Sequence, residues 1–275
     1  MSNEWILEYR TDYLTAIFKY FPLLASESFY MGVIALGYWR KPSSRLFKSL
    51  AFLVPFSTLL NCLFKNLFQI EPPDLALHLI PVHDPFGFPS GDVQVALTFW
   101  GYLFISLSPD YRLSRYLCFI PILGIAMSRI YLGVHSFYDV LAALMIGAVI
   151  LYVWNRSVEV THKKYWLLLA LTTTLYATIS IGLKWPPMVF MSLGALIGFG
   201  VSFKWILNID FGNKIDRLSA ALCLFMVILL STIFPILKTN DWTVYCSLVL
   251  KFLVITVSIY YLIPTLYLKM KKLNI

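Results

Sequence analysis

Charge is scarce in this sequence. Asp, Glu, Lys and Arg make up 13% of its 275 residues, about half the share found in soluble globular domains. That excludes a chain that presents a charged surface to water on all sides. Cysteine is scarcer still: Cys62, Cys118, Cys223 and Cys246 all lie in apolar segments without metal-ligand spacing. This excludes a disulfide scaffold and leaves them as small core residues. Also missing is a basic stretch followed by an apolar core at the start, where the first dozen residues are acidic instead. A cleaved secretory signal is therefore not expected, and the first spanning helix has to direct insertion.

What fills the chain is apolar: 59% hydrophobic residues and a mean hydropathy of +0.75. A spanning helix needs about 20 mostly apolar residues. About nine segments qualify: 20–39, 46–67, 92–108, 114–131, 137–155, 165–183, 187–207, 217–237 and 242–268. Residues 1–19 differ, because Trp5, Ile6, Tyr9, Tyr13 and Ile17 recur at helical spacing among Glu4, Glu8, Arg10, Asp12 and Lys19. They read as an amphipathic helix at the interface. The expected class is an all-α polytopic membrane protein, a bundle of about eight or nine transmembrane helices.

The net charge of +8 does not point to nucleic acid once the charges are located. Arg40, Lys41, Arg45 and Lys48 fill the first connection. Arg112 and Arg115, Arg156 with Lys163 and Lys164, Lys204 with Lys214 and Arg217, and Lys269 with Lys271 and Lys272 fill alternate later ones. This positive-inside pattern predicts an outer amino terminus, a cytoplasmic carboxyl terminus, and connections 68–91 and 132–136 on the outer face. The partners are membrane lipids. Trp5, Trp39, Trp154, Trp166, Trp185 and Trp242 near segment ends read as interfacial anchors, and Gly194 with Gly198 as a small-residue packing pair.

The two outer connections and their flanking helices carry the ionisable residues. The first offers Lys65, Glu71, His78, His83, Asp84, Ser90 and Asp92; the second, SRIYLGVHSFYD, offers Ser128, Arg129, His135 and Asp139. His135 and Asp139 are four apart, so on one helix face the carboxylate can hold one ring nitrogen and leave the other as a nucleophile or ligand. Arg129 ends the preceding helix, where its planar fork suits phosphate oxygens. Ionisable groups at membrane depth are expensive and usually functional.

SRIYLGVHSFYDVLA resembles the third motif of the type 2 phosphatidic acid phosphatase and vanadium haloperoxidase superfamily: S-R, five residues, H, three residues, D. FPSGDVQ resembles its second motif, P-S-G-H, and KNLFQIEPP from Lys65 stands in place of its first. The resemblance covers roughly residues 20–155. It implies a domain order of 1–19 as the amphipathic helix, 20–155 as the phosphatase-like core and 156–275 as additional helices. It also implies His135 as the nucleophile that takes the phosphoryl group, Asp139 as its orienting carboxylate, and Lys65, Arg129, Ser90 and the Gly91 amide as phosphate holders. No metal or other cofactor is implied. Two parts depart: Asp92 stands where the family has its histidine acid, and Pro72 where it has an arginine.

Asp92 decides the chemistry. It opens a helix beside two cations, and both effects favour the ionised form. An ionised carboxylate cannot protonate a leaving alkoxide, but it can activate water against a phosphohistidine. A phosphate leaving group, as in a prenyl diphosphate, needs little protonation because its second pKa is near 6. Asp92 can equally cap its helix and fill the anion site, paired with Lys65 and Arg129. Three readings stay open: a phosphohydrolase of lipid phosphates or prenyl diphosphates in a bacterial cytoplasmic membrane, a phosphotransferase using the same residues, and a non-catalytic protein that binds or transports a phosphorylated lipid.

Overall fold

The computed structural model describes residues 4–41, 44–82, 84–156, 162–183, 185–208 and 242–266. Every regular element among them is helical. The helices are α1 (Asp12–Tyr20), α2 (Glu27–Arg40), α3 (Arg45–Phe68), α4 (Gly91–Ser106), α5 (Arg112–Leu117), α6 (Phe119–Tyr131), α7 (Phe137–Arg156), α8 (His162–Ile179), α9 (Pro187–Asn208) and α10 (Trp242–Val257), the last continued by a π turn. Among the described residues, four stretches are long and apolar enough to cross a membrane: Arg45–Phe68, Arg112–Tyr131, Phe137–Arg156 and Val244–Leu266. The expected count of eight or nine is not confirmed by length and composition among these residues. At 14 and 16 residues, α2 and α4 are about 21 and 24 Å long, short of a hydrocarbon core of about 30 Å. Segment 217–237 lies outside the described residues.

Local chemistry explains where elements stop. The segment expected as one helix over 114–131 breaks at Cys118, because Pro121 cannot donate to Leu117 and its ring crowds that carbonyl. The described part of the segment expected as one amphipathic helix forms two pieces, a 3-10 turn over Glu4–Tyr9 and then α1, with Thr11 capping α1 by accepting the Leu14 N–H. Segment 20–39 begins its α-helix only at Glu27, after a 3-10 stretch over Phe21–Ala25 that carries Pro22 in its first turn.

The chain folds as two compact units. One comprises Met1–Tyr30, Ser57–Val158 and Thr174–Pro186. In its core α4, α6 and α7 meet through Val93, Ala96, Ile125, Ala126, Val140 and Ala143. The three alanines let the backbones approach closely, as small residues do between membrane helices. A polar ladder joins α3 to α4: Gln94 donates to the Ser57 carbonyl and hydroxyl, Asn61 donates to Gln94, and Thr98 meets Ser57.

The other unit comprises Met31–Phe56, Glu159–Thr173 and Pro187–Ile275. There Gly194 and Gly198 pack α9 on α10, where a side chain would meet the Val249 and Leu253 carbonyls. Trp39, expected as an interfacial anchor, is instead fully buried and donates to the Ile259 carbonyl at 2.9 Å. Cys62 and Cys118 are buried as expected, whereas Cys246 is exposed.

Candidate functional site

The site lies in the first unit, where two turns are built separately and then tied together. The first follows α3. Gln69 takes a positive φ of 50°, and the loop folds back so that the Gly87 N–H donates to the Ile70 carbonyl at 2.8 Å. Gly87 passes so close to Pro72 that a Cβ would lie 2.7 Å from the proline Cα. Two side chains one helical turn apart on α3 hold this loop down. Lys65 Nζ donates to the Phe86 carbonyl at 2.8 Å, and Asn61 donates to the Pro89 carbonyl at 3.2 Å. Ser90 then starts α4 in an extended conformation without a side-chain cap, so the first amides of α4 keep the positive end of the helix field.

The second turn follows α6 as a Schellman motif: Gly133 N–H reaches the Ile130 carbonyl and Val134 N–H the Arg129 carbonyl, at 3.0 and 3.2 Å. Gly133 has a φ of 76°, and a side chain there would strike the Leu77 carbonyl. A capping box opens α7, the Ser136 N–H bonding Asp139 Oδ2 at 2.7 Å and the Asp139 N–H bonding Ser136 Oγ at 3.2 Å. His135 is pinned between these two devices.

Backbone bonds join the turns. Leu79 N–H donates to the Leu132 carbonyl at 3.0 Å, and Ser90 N–H to the Asp139 carbonyl at 3.1 Å. The amino-terminal segment adds a clamp. Arg10 donates to the Leu77 carbonyl at 2.6 Å and the Tyr131 carbonyl at 3.0 Å, while the Tyr131 hydroxyl accepts the Thr11 N–H at 3.0 Å.

His135 Nδ1 faces Asp139 Oδ2 at 3.7 Å. The residue is 7% exposed. Burial pushes its pKa below the ordinary histidine value; the Asp139 carboxylate opposes this, and the charges of Lys65 and Arg129 lower it further. Neutral His135 is therefore the resting form at pH 7, as a nucleophile requires.

Both cations expected to hold phosphate already hold carboxylates. Arg129 Nη2 meets Asp92 Oδ2 at 2.6 Å, and Lys65 Nζ meets Asp84 Oδ2 at 2.8 Å. Lys65 thus pairs with Asp84 rather than with Asp92, a partner that sequence reasoning left without a role. Gly91 lies against Asn61 Oδ1, 3.1 Å from where a Cβ would be. His78 stays in its own loop, with Nε2 3.1 Å from the Pro73 carbonyl; His83 lies outside the described residues. Among the buried polar atoms of this unit without a hydrogen-bond partner in the described residues are Ser90 Oγ, Arg129 Nε and Tyr30 Oη. Each such atom costs about 1–3 kcal/mol when left unmatched, and native structures keep few of them.

Residues 46–163, less than half of the chain, match the family model of the PAP2 superfamily. That segment is similar to the PAP2 superfamily. That PAP2 segment contains Lys65, Ser90, Gly91, Asp92, Arg129, His135 and Asp139, and leaves Arg10 and Tyr30 outside it. A PAP2-like segment, together with helices apolar enough to span a bilayer, supports a membrane-associated, phosphatase-like protein. No curated protein and no solved structure matches the chain.

Proposed function

We propose that the protein is an integral membrane phosphohydrolase that cleaves lipid diphosphates at the extracytoplasmic face through a phosphohistidine. The observation that carries this reading is the placement of a neutral, buried His135 beside Asp139 and within the fields of Lys65 and Arg129. In the first step His135 Nε2 forms a bond to phosphorus, the bond from phosphorus to the leaving oxygen breaks, and Asp139 stabilises the cationic ring. Asp92, ionised against Arg129, has no proton to give, so the leaving group has to depart as a phosphate rather than an alkoxide. In the second step Asp92 accepts a proton from the water that attacks the phosphohistidine. His135 is regenerated and phosphate released.

A second reading, a protein that holds a phosphorylated lipid without cleaving it, draws on the internal pairing of both cations. An incoming anion meets both cations already paired with carboxylates. Phosphate release by the purified protein, with a prenyl diphosphate and with phosphatidic acid, separates the readings. Turnover of the diphosphate that His135→Ala abolishes, with phosphatidic acid the poorer substrate, is the expected result. No turnover of either lipid leaves the binder, and equal or faster release from phosphatidic acid overturns the role given to Asp92.

A further inference from the structure

The Tyr30 hydroxyl is out of place for a structural residue. Tyr30 sits in the first turn of α2, where Ser26 caps the helix by accepting the Phe29 N–H and the Ser26 carbonyl takes the Tyr30 N–H. Its ring is fixed by Phe99 of α4, centroid to centroid at 4.6 Å, and by Phe29 at 5.9 Å. The residue is 1% exposed, and its hydroxyl has no hydrogen-bond partner among the described residues. Phenylalanine would fill the same space without burying an unmatched polar atom, so packing alone gives no reason for the oxygen.

Its surroundings give one. Its ring lies against α4, the helix that Asp92 opens and that Arg129 meets through Asp92, and the charges of both bear on the hydroxyl. Two further buried groups there are in the same condition: Ser90 Oγ at 0% residue exposure and Arg129 Nε at 7%. All three can donate a hydrogen bond, and the uncapped amides at the start of α4 are donors as well. Beside the Asp92 carboxylate these donors suit a multi-oxygen anion, and a tetrahedral phosphate offers them several acceptors at once.

We propose that Tyr30 is a further anion-binding residue of this site, its hydroxyl donating to a phosphate oxygen of the substrate alongside Ser90 and Arg129. This rests on the reading of the site as a phosphate pocket. It adds to that pocket a donor from α2, outside the PAP2 segment at 46–163. Arg129 then keeps Asp92 on Nη2 while Nε turns to the anion, so the carboxylate need not leave for phosphate to bind.

The test uses the full chain in detergent, with inorganic phosphate as the probe and calorimetric titration as the readout, beside thermal melting. Tyr30→Phe keeps the ring and removes the oxygen. It is expected to weaken phosphate binding about tenfold to a hundredfold, the usual range for a hydrogen bond to a charged acceptor, and to raise the Tm of the ligand-free protein, because a buried unmatched hydroxyl is gone. Arg129→Gln serves as the control for the pocket. Phosphate binding that Arg129→Gln weakens and Tyr30→Phe leaves unchanged overturns the role of Tyr30 and leaves the pocket standing. Wild-type protein that binds no phosphate overturns the pocket and Tyr30 with it. A lower Tm for Tyr30→Phe, together with weaker binding, makes the hydroxyl a structural group and equally overturns the proposal.

Discussion

His135 is the residue on which acid should act first. Its folded pKa is lowered by burial, so below the ordinary value of about 6.5 the unfolded chain takes up this proton before the folded chain does. The contribution to stability is therefore complete above about pH 6.5 and is lost as the pH falls towards the lower folded value. The Tm of the wild type is expected to drop more between about pH 7 and pH 5 than that of His135→Gln; equal slopes would remove the buried neutral imidazole from the account. Arg129, His135 and Asp139 were legible in the sequence because a turn and a helix start fix their spacing. Asp84 was not, since its bond to Lys65 depends on a loop that closes around Gly87. Arg10 was harder still, as its contact with Tyr131 spans 121 positions.

Among the elements, the turn after α6 is the most demanding. Gly133→Ala places a methyl group against the Leu77 carbonyl in a backbone region that L residues avoid. A loss of about 1–3 kcal/mol follows from the strain alone. It should be visible as a lower Tm, accompanied by weaker phosphate binding because His135 hangs on the same turn. Unchanged binding with a lower Tm would separate the turn from the site. Apolar runs revealed α3 and α7 nearly to the residue, because length and composition alone define such helices. Breaks were less readable. Pro121 and Pro22 were visible as residues, but where each stops a helix depends on which carbonyls remain without donors once the chain packs.

For the whole molecule, the helical class was readable from composition, whereas the number of spans was not, because short helices such as α2 and α4 meet no simple length rule. Orientation can be measured directly. Leu75 and Leu113 are equally exposed at 74%, one in the loop after α3 and the other in α5. In a variant without native cysteines, Leu75→Cys should react with a membrane-impermeant maleimide on intact cells, and Leu113→Cys only after the membrane is opened. The reverse pattern overturns the positive-inside assignment. The clamp made by Arg10 has a practical sequel at this scale. An expression fragment trimmed to the borders of the recognisable family segment would discard the peg that fastens both reactive turns. Silence from such a fragment would reflect the cut, and would say nothing about the chemistry of the intact chain.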